Sequence, residues 1–502
     1  MHSANGRDDR IDMRGLWQLT QLTLITDARR AGSHTIRLGL AIVLYLAIVA
    51  AYWSPWRSAG GLPLFHAQML ITAFYLTINA IYGYSQAISE EKEDGTLGLM
   101  RLADISPLSI ILGKISGRLV DSGLMLAIQF PFTIVAVTLG GVAWSQVFAA
   151  YTALAVYLWL LATLGIAASV MQSTGAGAAR VTALFIVIYT LPPFIEFTIL
   201  KRWGGLVGAY RFISLPFSLT AITESSFNGS AWSTSTAFGI FGGLFFLLVA
   251  WWAFDGLTHR HKPVSRAARI SPVQRLSRRA WSNPVVWREF LFLTGGIPWL
   301  SVRIVGHLVI LLMMALVQDT VGHIFAWASI YCGVYALIDG TWLASRLFRD
   351  EIRDRTWSSL VQTPHDITRL ALQKTCGWAL GLAPSIIFPY LMILMTVAVH
   401  ENTSAALATE LVIGSITIGL SVIAYLHLLV LMSLYHGWKA TPLTLTITVA
   451  SGWVYIQTVL TSRLDLLMRC SLFFGTCLAL GAVMVLLQIL IVRRLKCLAE
   501  TA

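Results

Sequence analysis

The chain has 502 residues, of which 56% are hydrophobic and only 12% are charged, and its mean hydropathy is +0.71. Globular proteins average about 25% charged residues, so this composition excludes a soluble globular protein and predicts an all-α membrane protein with many spans. The formal net charge of +12 does not indicate nucleic-acid binding. The basic residues stand in short segments beside apolar runs, where the positive-inside rule accounts for them.

Twelve apolar runs are long enough to cross a membrane as helices, which takes at least about 18 residues. We expect six of them in each half of the chain, as two six-helix repeats with short amphipathic cytoplasmic helices. Their approximate limits are residues 38–56, 64–86, 120–139, 144–171, 181–200 and 236–255, then 302–317, 321–345, 370–399, 406–435, 443–461 and 471–492. No cleavable signal peptide is recognisable before them, so the first span is expected to act as its own insertion signal.

Composition divides the chain into two halves and a linker. The first half, residues 1–258, starts with mixed polar and apolar residues between positions 5 and 37, which indicates a helix lying along the membrane surface. Residues 259–282 are basic, polar and proline-containing, as is typical of a cytoplasmic linker. The second half, residues 283–502, opens with NPVVWREF, where a proline near the helix start predicts a second amphipathic helix.

Lysine and arginine are distributed unevenly between the two sides of the predicted membrane. All but six of the 36 basic residues fall on the side that holds both termini. The six exceptions are Arg57, Lys201, Arg202, Arg211, Arg463 and Arg469. The positive-inside rule therefore predicts a multi-pass protein of the plasma or inner membrane with both termini in the cytoplasm.

One charged segment interrupts the apolar runs: residues 87–119, AISEEKEDGTLGLMRLADISPLSIILGKISGRL. It begins with acidic residues, breaks at Gly95 and continues with apolar residues interleaved with polar ones. A new helix is expected at Ser106-Pro107, because a serine hydroxyl caps free amides and proline tolerates the first helical position. Charge runs are usually solvated faces, so an ordinary cytoplasmic loop is the alternative interpretation.

This segment has a second copy in the other half of the chain. At a constant offset of 260, residues 72–117 align without gaps with residues 332–377, and nine positions are identical, against about three expected at residue frequencies near 6%. The identical pairs are Tyr75/Tyr335, Ile78/Ile338, Ser85/Ser345, Glu91/Glu351, Asp94/Asp354, Thr96/Thr356, Leu112/Leu372, Lys114/Lys374 and Gly117/Gly377. A repeated six-span unit is typical of transporters; a duplicated scaffold without transport is the alternative.

Residues 90–114, EEKEDGTLGLMRLADISPLSIILGK, resemble the signature of ABC-2 type permeases: an acidic start, Gly-Thr, a Leu-rich turn, Ser-Pro-Leu-Ser and a Gly-Lys entering the third span. Residues 283–289, NPVVWRE, resemble the opening segment of some fused permeases of this type. The second copy, RDEIRDRTWSSLVQTPHDITRLALQK, departs from the pattern, because Arg355 replaces Gly95 and its proline falls three positions earlier.

The resemblance implies an exporter permease in which a coupling helix between the second and third spans of each half contacts an ABC-type ATPase subunit. Charges at the rim would steer docking, and apolar residues would form its buried part. The implied coupling residues are Glu91, Asp94, Glu351 and Asp354 at the rim, Leu97, Leu99, Met100 and Leu102 in the apolar part, and Thr96, Thr356 and Trp357 beside them. The departures of the second copy leave equal engagement of the two segments open.

The chain contains no ATPase motif of its own. G-x-x-x-x-G-K-[ST] does not occur, and Gly113-Lys114 has Leu108 where the first glycine should stand. We therefore expect no cofactor and no enzymatic activity in this chain, with ATP hydrolysed by separate ATPase subunits. The five cysteines show no metal-ligand spacing. The expected assembly is one fused permease with two ATPases, or a higher homo-oligomer, in membrane lipid.

Asn79 and Asp339 stand at equivalent positions of the repeat, inside predicted spans. Polar side chains there are costly to bury and are functional candidates, so both are candidates for the inner mouth of a transport pathway. The alternative is hydrogen bonding from helix to helix. Asp121, near the start of the third span, is expected to pair with Arg118.

Two other functions stay open at the level of sequence. A six-plus-six secondary transporter is one, although the segment after the second span lacks a G-x-x-x-D-R-x-G-R-R pattern and no intramembrane proton relay is obvious. An intramembrane enzyme or assembly scaffold is the other, although no HExxH, paired CxxC or Ser/His/Asp arrangement stands out.

Overall fold

A computed structural model describes most of the chain. Its described residues are 13–29, 31–53, 60–103, 105–196, 213–225, 227, 229–258, 281–315, 321–353, 356–362, 366–399, 405–436, 444, 448 and 466–500. Helices make up nearly all of these residues, and none of them forms a strand. The chain separates into two compact units, Met1–Val264 and Ser265–Ala502, and the division falls within the predicted basic linker.

The first unit begins with an amphipathic helix and continues with long apolar helices. Its described helices are α1 (Met13–Arg29), α2 (Ala31–Trp53), α3 (Gly61–Tyr82), α4 (Ser89–Asp94), α5 (Thr96–Leu102), α6 (Pro107–Thr138), α7 (Trp144–Met171), α8 (Gly175–Glu196), α9 (Leu215–Ile222) and α10 (Thr234–Thr258). The predicted fourth span coincides with α7. The predicted third span begins too late, because α6 runs without a break from Pro107 into the apolar run.

The second unit follows the same order of short and long helices as far as its fourth long helix. Its described helices are α11 (Pro284–Phe292), α12 (Gly296–Ala315), α13 (Val321–Ala344), α14 (Arg349–Arg353), α15 (Trp357–Val361), α16 (Ile367–Val399), α17 (Ala405–His436) and α18 (Leu466–Glu500). The helix predicted from NPVVWREF is confirmed as α11. The predicted eleventh span, residues 443–461, lies outside the described residues except for positions 444 and 448.

Seven helical runs in the described residues are long and apolar enough to cross a membrane. They are Gly61–Glu93, Pro107–Thr138, Trp144–Met171, Thr234–Phe254, Ile367–Val399, Ile416–Tyr435 and Phe473–Glu500. An eighth is reached if α11 and α12, bent by 52° at their junction, form one broken span. The chain is therefore an all-α protein of multi-pass membrane character, while twelve spans in two repeats stay a prediction.

Local signals in the sequence account for the main breaks between helices. Gly95 ends α4 with a φ of 74°, a left-handed conformation that glycine adopts without steric cost. Ser106 caps α6 by accepting a hydrogen bond from the Ser109 amide at 3.3 Å, and Pro107 takes the first helical position. The two breaks predicted in this segment are thereby confirmed.

The core of the first unit lies along α7. In the most apolar window of α7, 83% of the residues are buried, compared with 28% for α6 and for α10. Phe65, Leu76 and Tyr157 are among the side chains packed there, whereas Phe241 and Phe245 of α10 are exposed. Large apolar side chains on the outside are expected where helices face lipid, because lipid tails impose no penalty on them.

The segment between the predicted spans 181–200 and 236–255 contains helix α9 in its described part. Leu215 and Leu219 of α9 are buried in the core of the first unit. Gln146 donates a hydrogen bond from Nε2 to the carbonyl oxygen of Ile222 at 3.0 Å. This segment thus contains a short helix that packs on its own unit.

Candidate functional site

Each unit has a bent segment between its second and third long helices, which we call elbow 1 (residues 87–106) and elbow 2 (residues 347–366). Elbow 1 consists of α4, the turn at Gly95 and α5, and it leads into α6. Elbow 2 consists of α14 and α15, and it leads into α16. Every residue implied for coupling lies in one of them, although Asp354 and the side chain of Asp94 are outside the described parts.

Glu91 is fixed within the first unit by a lysine from α6. Lys114 donates from Nζ to Glu91 Oε1 at 2.6 Å, and the hydroxyl of Thr96 donates to Glu91 Oε2. The side chains of Glu91 and Lys114 are 20% and 16% exposed, so solvent screens this pair less than a surface pair. Glu91 is therefore not a free charge at the surface, because a largely buried carboxylate requires a partner.

The apolar residues of α5 divide into two faces. Leu97 is buried and Met100 is partly buried, and both pack against the core of their own unit. Leu99 and Leu102 are 65% and 84% exposed. Residues three apart are neighbours on a helix surface, so these two leucines form one outward apolar edge. The sequence suggested a broader edge of four residues.

Lys92 and Glu93, neighbours on α4, connect elbow 1 to the turn between α7 and α8. Lys92 donates from Nζ to three carbonyl oxygens at the end of α7, which belong to Ser169, Val170 and Gln172. Glu93 Oε1 accepts a hydrogen bond from the amide of Gly175, the first residue of α8, at 2.9 Å. A cation at a helix C-terminus and an anion at an N-terminus both complement the helix dipole.

Ser169 of α7 makes a further contact with elbow 1, in which the side chain belongs to α7 and the backbone groups belong to the elbow. Its Oγ accepts hydrogen bonds from the amides of Ile88 and Ser89, at 2.9 and 2.8 Å. These amides stand at the start of α4, where helices leave backbone donors without a partner inside the helix. The hydroxyl that caps α4 thus comes from another helix.

Elbow 2 is fixed by a group of four charges, three of which are buried. Lys374 of α16 donates from Nζ to Glu351 Oε1 at 2.9 Å and to Glu289 Oε1 at 2.6 Å. Arg288 Nη1 lies 3.0 Å from Glu351 Oε1. Two cations therefore face two carboxylates contributed by α11 and α14. Charges are stable in an apolar surrounding only when they are paired in this manner.

The outward side of elbow 2 is polar. Trp357 is buried and packs in the core of its unit. The exposed described positions of α15 and its flanks are Thr356, Ser359 and Gln362. At the offset of 260, Ser359 and Gln362 stand where elbow 1 has Leu99 and Leu102. The elbows thus share a buried apolar side chain at the aligned positions Leu97 and Trp357, and they differ at the exposed positions of Leu99 and Leu102.

The amphipathic helix at the start of each unit packs against a glycine of the third long helix. A Cβ on Gly117 would lie 2.8 Å from the Cβ of Thr23 in α1, and a Cβ on Gly377 would lie 2.7 Å from that of Glu289 in α11. Neither position has room for a side chain. Because Gly117 and Gly377 are aligned at the offset of 260, Thr23 and Glu289 occupy matching places.

The two candidate pathway residues make contacts from helix to helix. Asn79 Nδ2 of α3 donates to the Ser122 hydroxyl of α6 at 2.6 Å. Asp339 of α13 accepts from Arg303 of α12, at 2.6 Å to Oδ2 and 3.2 Å to Oδ1. These contacts favour the alternative of helix-to-helix bonding, and the pathway role stays a prediction.

Asp121 pairs with Arg37 of α2. The sequence predicted Arg118 as its partner, and this prediction is wrong. Arg118 Nη2 instead lies 3.8 Å from Glu90 Oε2 in elbow 1. Spacing along one helix suggested the wrong partner, because the rotation of α6 turns Asp121 towards α2.

No protein-family model matches this chain, and no curated protein matches it significantly. Among the described residues, no group of three or more His, Cys, Asp or Glu is arranged to hold a metal ion. The geometry of the elbows is thus the basis for a functional proposal.

Sequence reasoning missed the groups that anchor the elbows: Lys92, Glu93, Ser169 and Glu289. Glu289 stands in the NPVVWRE segment, where one acidic residue on a short apolar helix was a usable signal. No sequence signal pointed to Lys92, because its partners are backbone carbonyls far along the chain.

Proposed function

We propose that the chain is the membrane-spanning permease of an ABC-2 type exporter, driven by ATP that separate ATPase subunits hydrolyse. In this proposal the two units are six-span repeats in the plasma or inner membrane, with both termini and both elbows in the cytoplasm. The elbows receive the ATPase subunits, and the spans carry the substrate.

One observation carries the proposal: the apolar edge of Leu99 and Leu102 on a short helix that is fixed to the long helices. Burial of a leucine side chain stabilises by roughly 1.5–3 kcal/mol, so two leucines exposed at 65% and 84% can supply much of a docking interaction. Because Lys114 holds Glu91 at 2.6 Å, a force on elbow 1 is passed to α6.

Matching contacts in the two units support the repeat. Lys114 with Glu91 and Lys374 with Glu351 are ion pairs at positions aligned by the same offset. Conserved geometry at both places is expected if one ancestral unit was duplicated and fused.

The repeat is unequal where a partner would dock. Elbow 1 offers two leucines, and elbow 2 offers Ser359 and Gln362 at the aligned positions. We expect an ATPase subunit to contact elbow 1 through an apolar pocket and elbow 2 through hydrogen bonds.

Purification of the tagged full-length chain from its native membrane in mild detergent tests the proposal. The expected result is that a subunit with a G-x-x-x-x-G-K-[ST] motif co-elutes and hydrolyses ATP. The double variant Leu99→Ser/Leu102→Gln, which gives elbow 1 the side chains of elbow 2, should lower its recovery at least about tenfold, because each 1.4 kcal/mol lost is tenfold in affinity.

Two matched variants are the controls. Leu99→Met/Leu102→Met keeps the apolar edge and should retain the ATPase, and Ser359→Ala/Gln362→Ala should have a smaller effect. Absence of any such ATPase from the wild-type preparation would reject the exporter, and transport driven by an ion gradient would replace it with a secondary transporter. Equal recovery with all variants would remove elbow 1 as the docking place.

A further inference from the structure

Apart from the third long helix of its unit, each elbow is anchored to a different neighbour, and we infer that a movement of the elbow is transmitted to that neighbour. Elbow 1 moves the turn between α7 and α8, whereas elbow 2 moves α11. The source of the movement rests on the proposed function, because a docked ATPase would supply it. The anchoring is a property of the chain alone.

In the first unit the connection runs through α4. Lys92 binds carbonyl oxygens at the end of α7, and Glu93 binds the first amide of α8. Ser169 of α7 in turn caps the start of α4. Hydrogen bonds with one ionised partner are the stronger kind, and here they reach both sides of one turn. A displacement of α4 therefore displaces this turn.

Elbow 2 has different groups at the two positions that make this connection in elbow 1. At the positions aligned with Lys92 and Glu93 stand Ile352 and Arg353. Ile352 packs partly buried against the apolar core of the second unit. The Ile352 side chain has no donor for the carbonyl oxygens at a helix end, and Arg353 cannot accept a hydrogen bond from an amide as Glu93 does.

Elbow 2 is connected to α11 instead. Lys374 bridges Glu351 of the elbow and Glu289 of α11 through the same Nζ. In the first unit the place of Glu289 is taken by Thr23, whose hydroxyl donates to the Leu19 carbonyl of its own helix at 2.7 Å. Among the described side chains, no residue therefore bridges α1 and elbow 1 as Lys374 bridges α11 and elbow 2.

The two routes end in different parts of the units. The turn after α7 belongs to the most buried helix of the first unit, so elbow 1 acts on a core helix. In the second unit α11 meets α12 at Gly295 and Gly296, which have φ of 84° and 66° and lie at the bend of 52°. A movement of elbow 2 therefore reaches α12, the first long helix of the second unit, through the bent junction between α11 and α12.

Hydrogen–deuterium exchange of the purified full-length chain in lipid nanodiscs, without any ATPase, tests the inference. Gly95→Val disturbs elbow 1, because a β-branched residue does not tolerate a φ of 74°. Trp357→Ala disturbs elbow 2 by removing its buried anchor. Exchange is followed in two windows, residues 172–178 after α7 and residues 284–294 across α11.

We expect Gly95→Val to raise exchange about fivefold in residues 172–178, the effect of about one hydrogen bond, and to leave 284–294 unchanged. Trp357→Ala should do the reverse. Lys92→Met should abolish the response to Gly95→Val, and Glu289→Gln should reduce the response to Trp357→Ala. A rise in both windows for either disturbance, or a response to Gly95→Val that persists with Lys92→Met, would overturn the inference.

Gly98→Val is the matched control for elbow 1, because it adds the same side chain to α5 at a position where a Cβ has no neighbouring atom within 4 Å. It should change neither window. Gly95→Ala gives a milder disturbance if Gly95→Val does not fold. Because no ATPase is present, the exchange experiment can succeed even if the exporter proposal is rejected. A negative exchange result would likewise not reject docking of an ATPase on elbow 1.

Discussion

Lys374, at 1% exposed, is the most buried charged side chain that the structure describes. Its two carboxylate partners come from α11 and α14, so three helices meet at one amine. Such a cluster contributes little net stability over an apolar core, but loss of one member leaves a buried charge unpaired. Lys114 in the first unit has one carboxylate partner and is 16% exposed.

We predict that Lys374→Met lowers the free energy of unfolding by about 3–5 kcal/mol, the usual cost of breaking a buried pair. Lys114→Met should cost less, about 1–2 kcal/mol, because solvent reaches that pair. Thermal unfolding in detergent, followed by tryptophan fluorescence, measures both. The triple variant Lys374→Met/Glu289→Gln/Glu351→Gln should recover most of the loss; no recovery would show that packing of the lysine stem dominates.

At the scale of elements, each amphipathic helix is positioned by a glycine, which allows a close approach because it has no side chain. Gly117 and Gly377 let α1 and α11 approach the third long helix of their units. The approach is closer in the second unit, where a Cβ on Gly377 would lie 2.6 Å from the carbonyl oxygen of Val286. Backbone cannot rotate away as a side chain can, so this contact is the stricter of the two.

We predict that Gly377→Ala destabilises the protein by about 1–3 kcal/mol, as overpacking usually does, and displaces α11. Gly123→Ala on α6 is the matched control, since nothing lies within 4 Å of its new Cβ. It should be neutral or stabilising by up to about 1 kcal/mol, because alanine favours helix over glycine. Thermal unfolding and protease resistance of α11 measure the difference, and equal effects would contradict the close approach.

At the scale of the whole molecule, two units of similar design differ in what they expose. The described part of each has an amphipathic helix, an elbow and long apolar helices. Elbow 1 presents leucines outward and elbow 2 presents polar groups. If ATPase subunits dock on both elbows as proposed, this chain can treat the two differently, which a symmetric dimer of identical chains cannot do.

Accessibility of single cysteines tests the predicted orientation. In a background with all five native cysteines replaced by alanine, Leu102→Cys and Gln362→Cys should react with a membrane-impermeant maleimide only after the cells are opened. Asn402→Cys, between the predicted spans 370–399 and 406–435 and therefore on the outer side in the proposed topology, should react in intact cells. Labelling of both elbow positions from outside would invert the topology, and labelling of one alone would contradict the repeat with parallel units.

The sequence by itself determined the features that depend on local chemistry. Apolar runs specified the long helices, Gly95 and Ser106 specified two breaks, and the constant offset brought Lys114 and Lys374 into correspondence before any contact was known. These follow from backbone conformation and hydrophobicity, which neighbouring residues decide.

Only the tertiary structure decided which groups meet. Asp121 takes Arg37 from another helix, and Leu97 turns inward while Leu99 turns outward. Lys92 closes the end of α7 with contacts nearly 80 residues away along the chain. Such choices depend on how each helix is rotated about its axis and which helix lies beside it. Spacing along the sequence gives neither the rotation of a helix nor its neighbour, because each acidic residue has several possible basic partners before the helices are packed.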